Sequence, residues 1–99
     1  MASQTIRTVA RLVALPEKVD ELKSVLVGLI EPTRKEAGCI KYELLQNNAD
    51  PTDFTFVEEW ESDALLDTHL GSEHIQAAIG KLDGLVAVAP EIRRYSLLA

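Results

Sequence analysis

The chain has few of the features that mark secreted, membrane or nucleic-acid-binding proteins. Its single cysteine, Cys39, excludes an internal disulfide and a multi-cysteine zinc site within one chain. It has no apolar run near the roughly 18 residues that a membrane span needs. Residues 1–7 lack the apolar segment of a secretory signal, so we expect a cytoplasmic location. A net charge of −6 argues against a nucleic-acid partner, which needs a basic surface.

The overall composition is that of a soluble globular protein. Hydrophobic residues make up 46% of the chain and charged residues 26%. A length of 99 residues suits one domain with a single modest core. We therefore expect one domain over residues 1–99.

Hydrophobic periodicity predicts the secondary structure. Residues alternate in polarity over Thr5–Leu15, which predicts a strand. Pro16 suits the first turn of a helix, and Pro32 should kink that helix near Gly28–Ile30. Gly38 is a natural helix stop. The turn-rich segment 47–51 predicts a hairpin loop, and Ser62 and Ser72 are suited to N-caps on either side of a break at Gly71. The further strands and helices are predicted over Cys39–Asn47, Asp53–Trp60, Ala64–Leu70, Ile75–Leu82 and Glu91–Leu98.

The resulting β-α-β-β-α-β order predicts an α+β, ferredoxin-like fold. In it, two helices cover one face of a four-stranded antiparallel sheet. The second face would still carry too many apolar side chains to face water, so we expect a second copy of the chain to cover it in a homodimer. Both faces are apolar enough that the sequence does not decide which one meets the helices. The apolar residues in question are Val9, Val13, Leu15, Val57, Tyr95 and Leu97.

Two motifs carry a resemblance to a known family. One is Gly38-Cys39-Ile40-x-Tyr42-x-Leu44, and the other is Glu58-x-Trp60-x-Ser62-x-x-x-Leu66-x-x-His69-x-x-Ser72-x-His74. With the element order, they make the chain resemble the antibiotic biosynthesis monooxygenase superfamily. The resemblance implies a dimeric α+β barrel with a pocket between sheet and helices in each subunit. Members include cofactor-free monooxygenases of quinols and polycyclic phenols, haem-degrading enzymes and an isomerase of a phosphorylated autoinducer.

The haem-degrading branch is the one that the sequence fits least. Its members use an Asn, a Trp and a His, and these positions fall near Ala10, His69 and Ile79. None of the three residues matches. Haem degradation is therefore not expected.

His69 and Glu58 are the candidate catalytic residues. A histidine on the inner side of its helix could act as a general base near neutral pH, or be a core histidine satisfied by a neighbour. Glu58 follows two phenylalanines on one strand face and needs a partner. It could orient the imidazole, take a proton itself, or form an ion pair with Arg11 or Arg94.

The candidate substrate-binding residues surround that pair. His74 could contact a ligand or could only cap or pack, and Tyr42 could hydrogen-bond a substrate hydroxyl or simply pack. The wall of an apolar pocket would come from Phe54, Phe56, Trp60 and Leu66. The two histidines lie five residues apart across a break, which is not a standard metal spacing, so no metal is expected.

Together with the resemblance, these residues favour a cofactor-independent monooxygenase. There is no flavin, nicotinamide or haem motif, so no cofactor is expected, and O₂ would react with an electron-rich quinol or phenol after His69 removes a proton. One alternative is an isomerase of a small oxygenated metabolite that uses the same His/Glu pair. Another is a dimeric small-molecule binding or stress-response protein without turnover.

Overall fold

The computed structural model describes residues 5–99. Four strands form one antiparallel sheet in the order β2-β3-β1-β4. The strands are β1 (Ile6–Val13), β2 (Cys39–Gln46), β3 (Asp53–Trp60) and β4 (Glu91–Tyr95). The helices are α1 (Val19–Val27), α2 (Ile30–Arg34), α3 (Asp63–Leu70) and α4 (Glu73–Lys81), with a 3₁₀ turn at Pro16–Lys18. The predicted ferredoxin-like α+β fold is confirmed.

Burial decides which sheet face meets the helices. Every second residue of β3 is buried, from Phe54 to Trp60, and the alternate residues are only half-buried. In β1 the buried set includes Ala10 and Leu12, which pair with Phe56 and Phe54 across the strands. Large apolar side chains on this face pack against the helices and form the core. Val57, on the opposite face, is half-buried.

The predicted kink at Pro32 is a break between two helices. α1 ends at Val27 and α2 begins at Ile30. Pro32 has no N–H to donate to the carbonyl of Gly28, so the regular helical hydrogen bonding cannot continue through this point.

Gly38 ends the turn between α2 and β2 in a conformation that favours glycine. Its φ is +84°, and a Cβ there would lie 2.9 Å from the Cβ of Leu65 and still nearer its Cδ1. The Gly38 carbonyl also accepts a 2.9 Å hydrogen bond from the N–H of Glu61. The turn is therefore held directly against the start of α3.

The predicted caps of α3 and α4 are confirmed. Ser62 Oγ accepts from the N–H of Leu65 at 3.2 Å, and Ser72 Oγ accepts from the N–H of Ile75 at 3.4 Å. Because Ser72 is the cap, α4 begins at Glu73 rather than at Ile75. Gly71 separates the two helices.

The predicted extent of the last strand is wrong. β4 ends at Tyr95, not Leu98. Tyr95 pairs with Arg7, so Ser96 falls opposite Ile6, the first residue of β1, and later residues have no strand to pair with. No helix within residues 5–99 is long and apolar enough to cross a membrane.

Candidate functional site

A cavity of about 360 Å³ lies between the inner sheet face and the helices. Its wall is almost entirely apolar and is built by α1, α3, α4, the sheet and the segment before β4. Apolar side chains from segments this far apart in sequence enclose a space suited to a small hydrophobic molecule. The apolar wall consists of Ala10, Leu12, Leu26, Leu29, Phe56, Leu70, Ile75, Ala78, Ile79, Leu82, Pro90 and Ile92.

Three polar side chains interrupt this wall: Tyr42, Glu58 and His69. Tyr42 and Glu58 are paired neighbours on β2 and β3. The Tyr42 ring meets the His69 ring edge-on at a centroid distance of 5.5 Å and stacks on Phe56 at 4.9 Å. Burial, followed by the charge of Glu58, raises the pKa of Tyr42, so its phenol stays protonated. All three polar side chains thus belong to the wall of one cavity.

Glu58 is a buried carboxyl group, only 4% exposed. Burial raises its pKa to about 7, the charge of Glu36 acts in the same direction, and the hydrogen bond from Trp60 opposes the shift. That bond runs from the indole Nε1 to Oε1 of Glu58 at 2.8 Å. Glu58 thus titrates near neutral pH.

His69 is enclosed by aromatic rings and held by a carboxylate. It is 2% exposed, and its ring lies 4.5 Å from the Trp60 ring, centroid to centroid. Nδ1 of His69 is 2.6 Å from Oε2 of Glu36. Burial lowers the pKa of His69 and Glu36 opposes this, so the ring is neutral at neutral pH. We assign the ring proton to Nδ1, because an ionised carboxylate can only accept.

Glu36 is the residue that sequence reasoning missed. It lies in the turn after α2, where no periodicity marks it, and its Oε2 is also 2.9 Å from Nε2 of His74. The carboxylate in contact with His69 is therefore Glu36, whereas Glu58 bonds Trp60.

The ion pairs that were considered for Glu58 are not formed. Arg11 pairs with Asp53 at 2.9 Å. Arg94 pairs with Asp63 at 2.9 Å and with Asp67 at 2.6 Å. Both arginines thus pair with other acids, and neither contacts Glu58.

Glu36, His69 and His74 form a set of potential metal ligands, with ligand atoms within 4.8 Å of one another. The five-residue histidine spacing does not keep the rings apart, because the break at Gly71 lets both reach one carboxylate. The nitrogen–oxygen distances of 2.6 and 2.9 Å are those of hydrogen bonds. Ligands around tetrahedral zinc would lie about 3.3 Å apart. The three side chains therefore hold one another directly.

The other predicted site residues occupy several positions. Tyr42 and Phe56 line the cavity, as do Glu58 and His69. The remaining residues do not line it in the structure. Trp60 packs on His69, Leu66 is fully buried in the core, and His74 contacts Glu36. Phe54 borders a separate, smaller pocket of about 260 Å³ beside α1 and α2.

Comparison with known proteins places this arrangement in a family. Rv0793 of Mycobacterium tuberculosis, provisionally named a monooxygenase, is 34% identical over 80 residues, or 78% of each chain. An uncharacterized protein of Synechocystis sp., sll1783, is 32% identical over 82 residues, which are 83% of this chain. The match covers only 56% of the length of the Synechocystis protein.

A solved structure agrees over the whole chain. PA3566 from Pseudomonas aeruginosa superimposes with a TM-score of 0.93 at 30% identity, covering 100% of this chain and 99% of that one. Residues 5–81 match the family described as antibiotic biosynthesis monooxygenase. The matched segment includes the cavity's polar residues together with Glu36 and His74. The chain belongs to the antibiotic biosynthesis monooxygenase family.

Proposed function

We propose that the protein is a cofactor-independent monooxygenase of a quinol or other phenolic molecule. The proposal rests on the burial, protonation and hydrogen bonding of the His69 ring. Its ring is buried and neutral, and Nδ1 is held by Glu36, which leaves Nε2 as the nitrogen that can accept a proton. Nε2 has no hydrogen-bond partner within residues 5–99, and the ring forms part of the cavity wall.

The cavity supports an aromatic substrate. A volume of about 360 Å³ is within the range of small-molecule sites. Apolar walls exclude water and favour a planar ring, and Phe56 and Tyr42 offer aromatic surfaces to it. The phenol of Tyr42 can donate a hydrogen bond to a substrate oxygen.

The chemistry balances without a resident cofactor because the substrate supplies the electrons. His69 removes the phenolic proton, and the resulting phenolate donates electrons to O₂. When a ring C–H is oxidised, one oxygen atom becomes a new carbonyl, and the phenol becomes a quinone. The second oxygen atom leaves as water with the two hydrogen atoms that the substrate loses.

The test is O₂ uptake with reduced quinones and anthrone-like phenols. We expect His69→Ala to lower turnover by about 100-fold or more, as loss of a general base does. Thr68→Ala, on the exposed side of the same helix, is the matched control and should retain wild-type turnover. Unchanged turnover in His69→Ala would remove His69 from the mechanism.

A second candidate is a proton-transfer isomerase of a small oxygenated metabolite. It is favoured by the presence of two proton-transfer groups on one cavity, because Glu58 titrates near pH 7 and His69 is a neutral base. Turnover in the absence of oxygen would support this candidate over a monooxygenase. Ligand-dependent stabilisation with no product under either condition would support a binding protein.

The active form that we propose is a cytoplasmic homodimer that buries the outer sheet face. Val9 and Val57 are half-buried there in a single chain, and Tyr95 is 47% exposed. Covering them with the same face of a second copy would remove this apolar surface from water. Light scattering should give twice the chain mass, and a monomer mass would contradict the proposal.

A further inference from the structure

We propose that Glu36 and His74 form a proton path that connects His69 with solvent. The use of the path in turnover rests on the proposed role of His69 as the base. The existence of the path can be tested without any substrate. A deeply buried base can complete a catalytic cycle only if its proton can leave and return.

The geometry of the path is continuous. A single atom, Oε2 of Glu36, lies 2.6 Å from Nδ1 of His69 and 2.9 Å from Nε2 of His74. Side-chain exposure rises along the same sequence of residues, from 2% at His69 to 16% at Glu36 and 26% at His74. The three groups therefore lead from the cavity wall to the protein surface without a gap longer than a hydrogen bond.

The groups around His69 leave the contact with Glu36 as the route for the Nδ1 proton. The ring is covered by Trp60 at 4.5 Å and by the edge of Tyr42 at 5.5 Å. The cavity beyond it is apolar apart from Tyr42 and Glu58. Nδ1 of His69 does not contact Glu58, whose Oε1 accepts from the indole of Trp60. Glu36 is the carboxylate in contact with the ring.

The transfer is a series of exchanges that keeps the proton count balanced. A substrate proton binds Nε2 of His69, and the proton on Nδ1 passes to Oε2 of Glu36. At rest Nε2 of His74 donates to the same oxygen. His74 first moves its own ring proton from Nε2 to Nδ1 by exchange with water, Nε2 then takes the proton from Glu36, and the proton on Nδ1 leaves to water. The reverse series returns a proton to the reduced oxygen at the end of turnover and restores the original ring tautomers.

A purely structural role for His74 is the competing explanation. Its Nε2 also lies 3.3 Å from Oγ of Ser72, the N-cap of α4, so the ring could serve only to fix the start of that helix. A structural role predicts effects on stability. A proton path predicts effects on the rate at which the buried ring proton exchanges with water.

The deciding experiment measures exchange of the Nδ1 proton of His69 by NMR of the full-length protein labelled with ¹⁵N-histidine. His74→Gln keeps a hydrogen-bonding side chain beside Glu36 but has no titratable ring. We expect exchange to slow by about tenfold or more in His74→Gln and in Glu36→Gln. Glu73→Gln, an exposed charge change next to His74, is the matched control and should exchange like the wild type.

The outcomes separate the path from the proposed function. Wild-type exchange in folded His74→Gln overturns the path, whereas slowed exchange supports it even if no phenol is turned over. If a phenol is a substrate, His74→Gln should lower kcat while leaving KM unchanged, and added imidazole should restore kcat. A change in KM alone, with no rescue by imidazole, would assign His74 a structural role.

Discussion

Trp60 and Glu58 lie on the same face of one strand, and the indole Nε1 of Trp60 donates a 2.8 Å hydrogen bond to Oε1 of Glu58. The indole has one donor and no acceptor, so it stabilises the ionised form of the carboxyl group. Burial acts in the opposite direction and is the larger effect. Near neutral pH, the Glu58 carboxyl group can therefore be either protonated or ionised.

The first prediction concerns stability against pH. The pKa of Glu58 is about 7 in the folded chain, against 4.5 for an ordinary glutamate. The folded state therefore holds this proton more tightly than the unfolded state, and Glu58 reduces stability as pH rises from about 4.5 to about 7. Relative to wild type, Glu58→Gln should gain on the order of 3 kcal/mol across this window.

The measurement for Glu58→Gln is urea unfolding at about pH 5 and about pH 8. Glutamine retains an acceptor for the indole, so the comparison isolates the charge. Glu61→Gln, an exposed site one residue after the strand, is the control and should show no such gain. Equal gains in both variants would contradict a buried, titrating Glu58.

The second prediction concerns the indole itself. Trp60→Phe removes the donor, and with it the contact that favours the ionised carboxylate. We expect the pKa of Glu58 to rise above about 7, as followed by ¹³C NMR of its carboxyl carbon. Tyr95→Phe, which alters an exposed aromatic residue, should leave the titration unchanged. A lower pKa in Trp60→Phe would show that the bond does not act as described.

The third prediction concerns the cavity. Ala78 is buried and lines it, whereas its neighbour Ala77 is exposed. Ala78→Phe would place a ring in the space that a ligand needs, and we expect binding of an anthrone-like probe to weaken by about tenfold or more. Ala77→Phe adds the same ring outside the cavity and should bind like wild type. Calorimetry on both folded variants measures the difference, and equal affinities would place the ligand elsewhere.

The fourth prediction compares two glycines. Gly38 has a positive φ and no room for a Cβ beside Leu65, so Gly38→Ala should cost more than about 2 kcal/mol of unfolding free energy. Gly80 lies within α4 with nothing near an added Cβ, and Gly80→Ala should stabilise by about 0.5 to 1 kcal/mol. Thermal unfolding of both variants tests the opposite signs, and a mild effect at Gly38 would contradict the close packing.

Most of the fold could be predicted from the sequence because local signals determine it. The alternation in β3, the caps at Ser62 and Ser72 and the break before Pro32 each depend on neighbours in the chain. The choice of inner sheet face could not be predicted, because it depends on where the helices pack. The end of β4 was missed for a similar reason, since strand length is set by the partner strand.

The candidate site was only partly predictable. His69 and Glu58 were identified because a titratable residue stands out on an otherwise apolar helix side or strand face. Glu36 belongs to an irregular turn 33 residues before His69, and nothing in its local sequence separates it from other surface acids. The cavity wall likewise joins α1, α4 and Pro90, whose meeting is a property of the tertiary structure.

The contact between Gly38 and Leu65 affects how changes in this protein should be interpreted. Gly38 lies two residues after Glu36, and Leu65 lies four residues before His69 on α3. The spacing of those two polar groups therefore depends on a residue that has no side chain. A mutational scan scored by activity would mark Gly38 as though it were catalytic. Only a paired measurement of protein abundance would distinguish lost folding from lost chemistry.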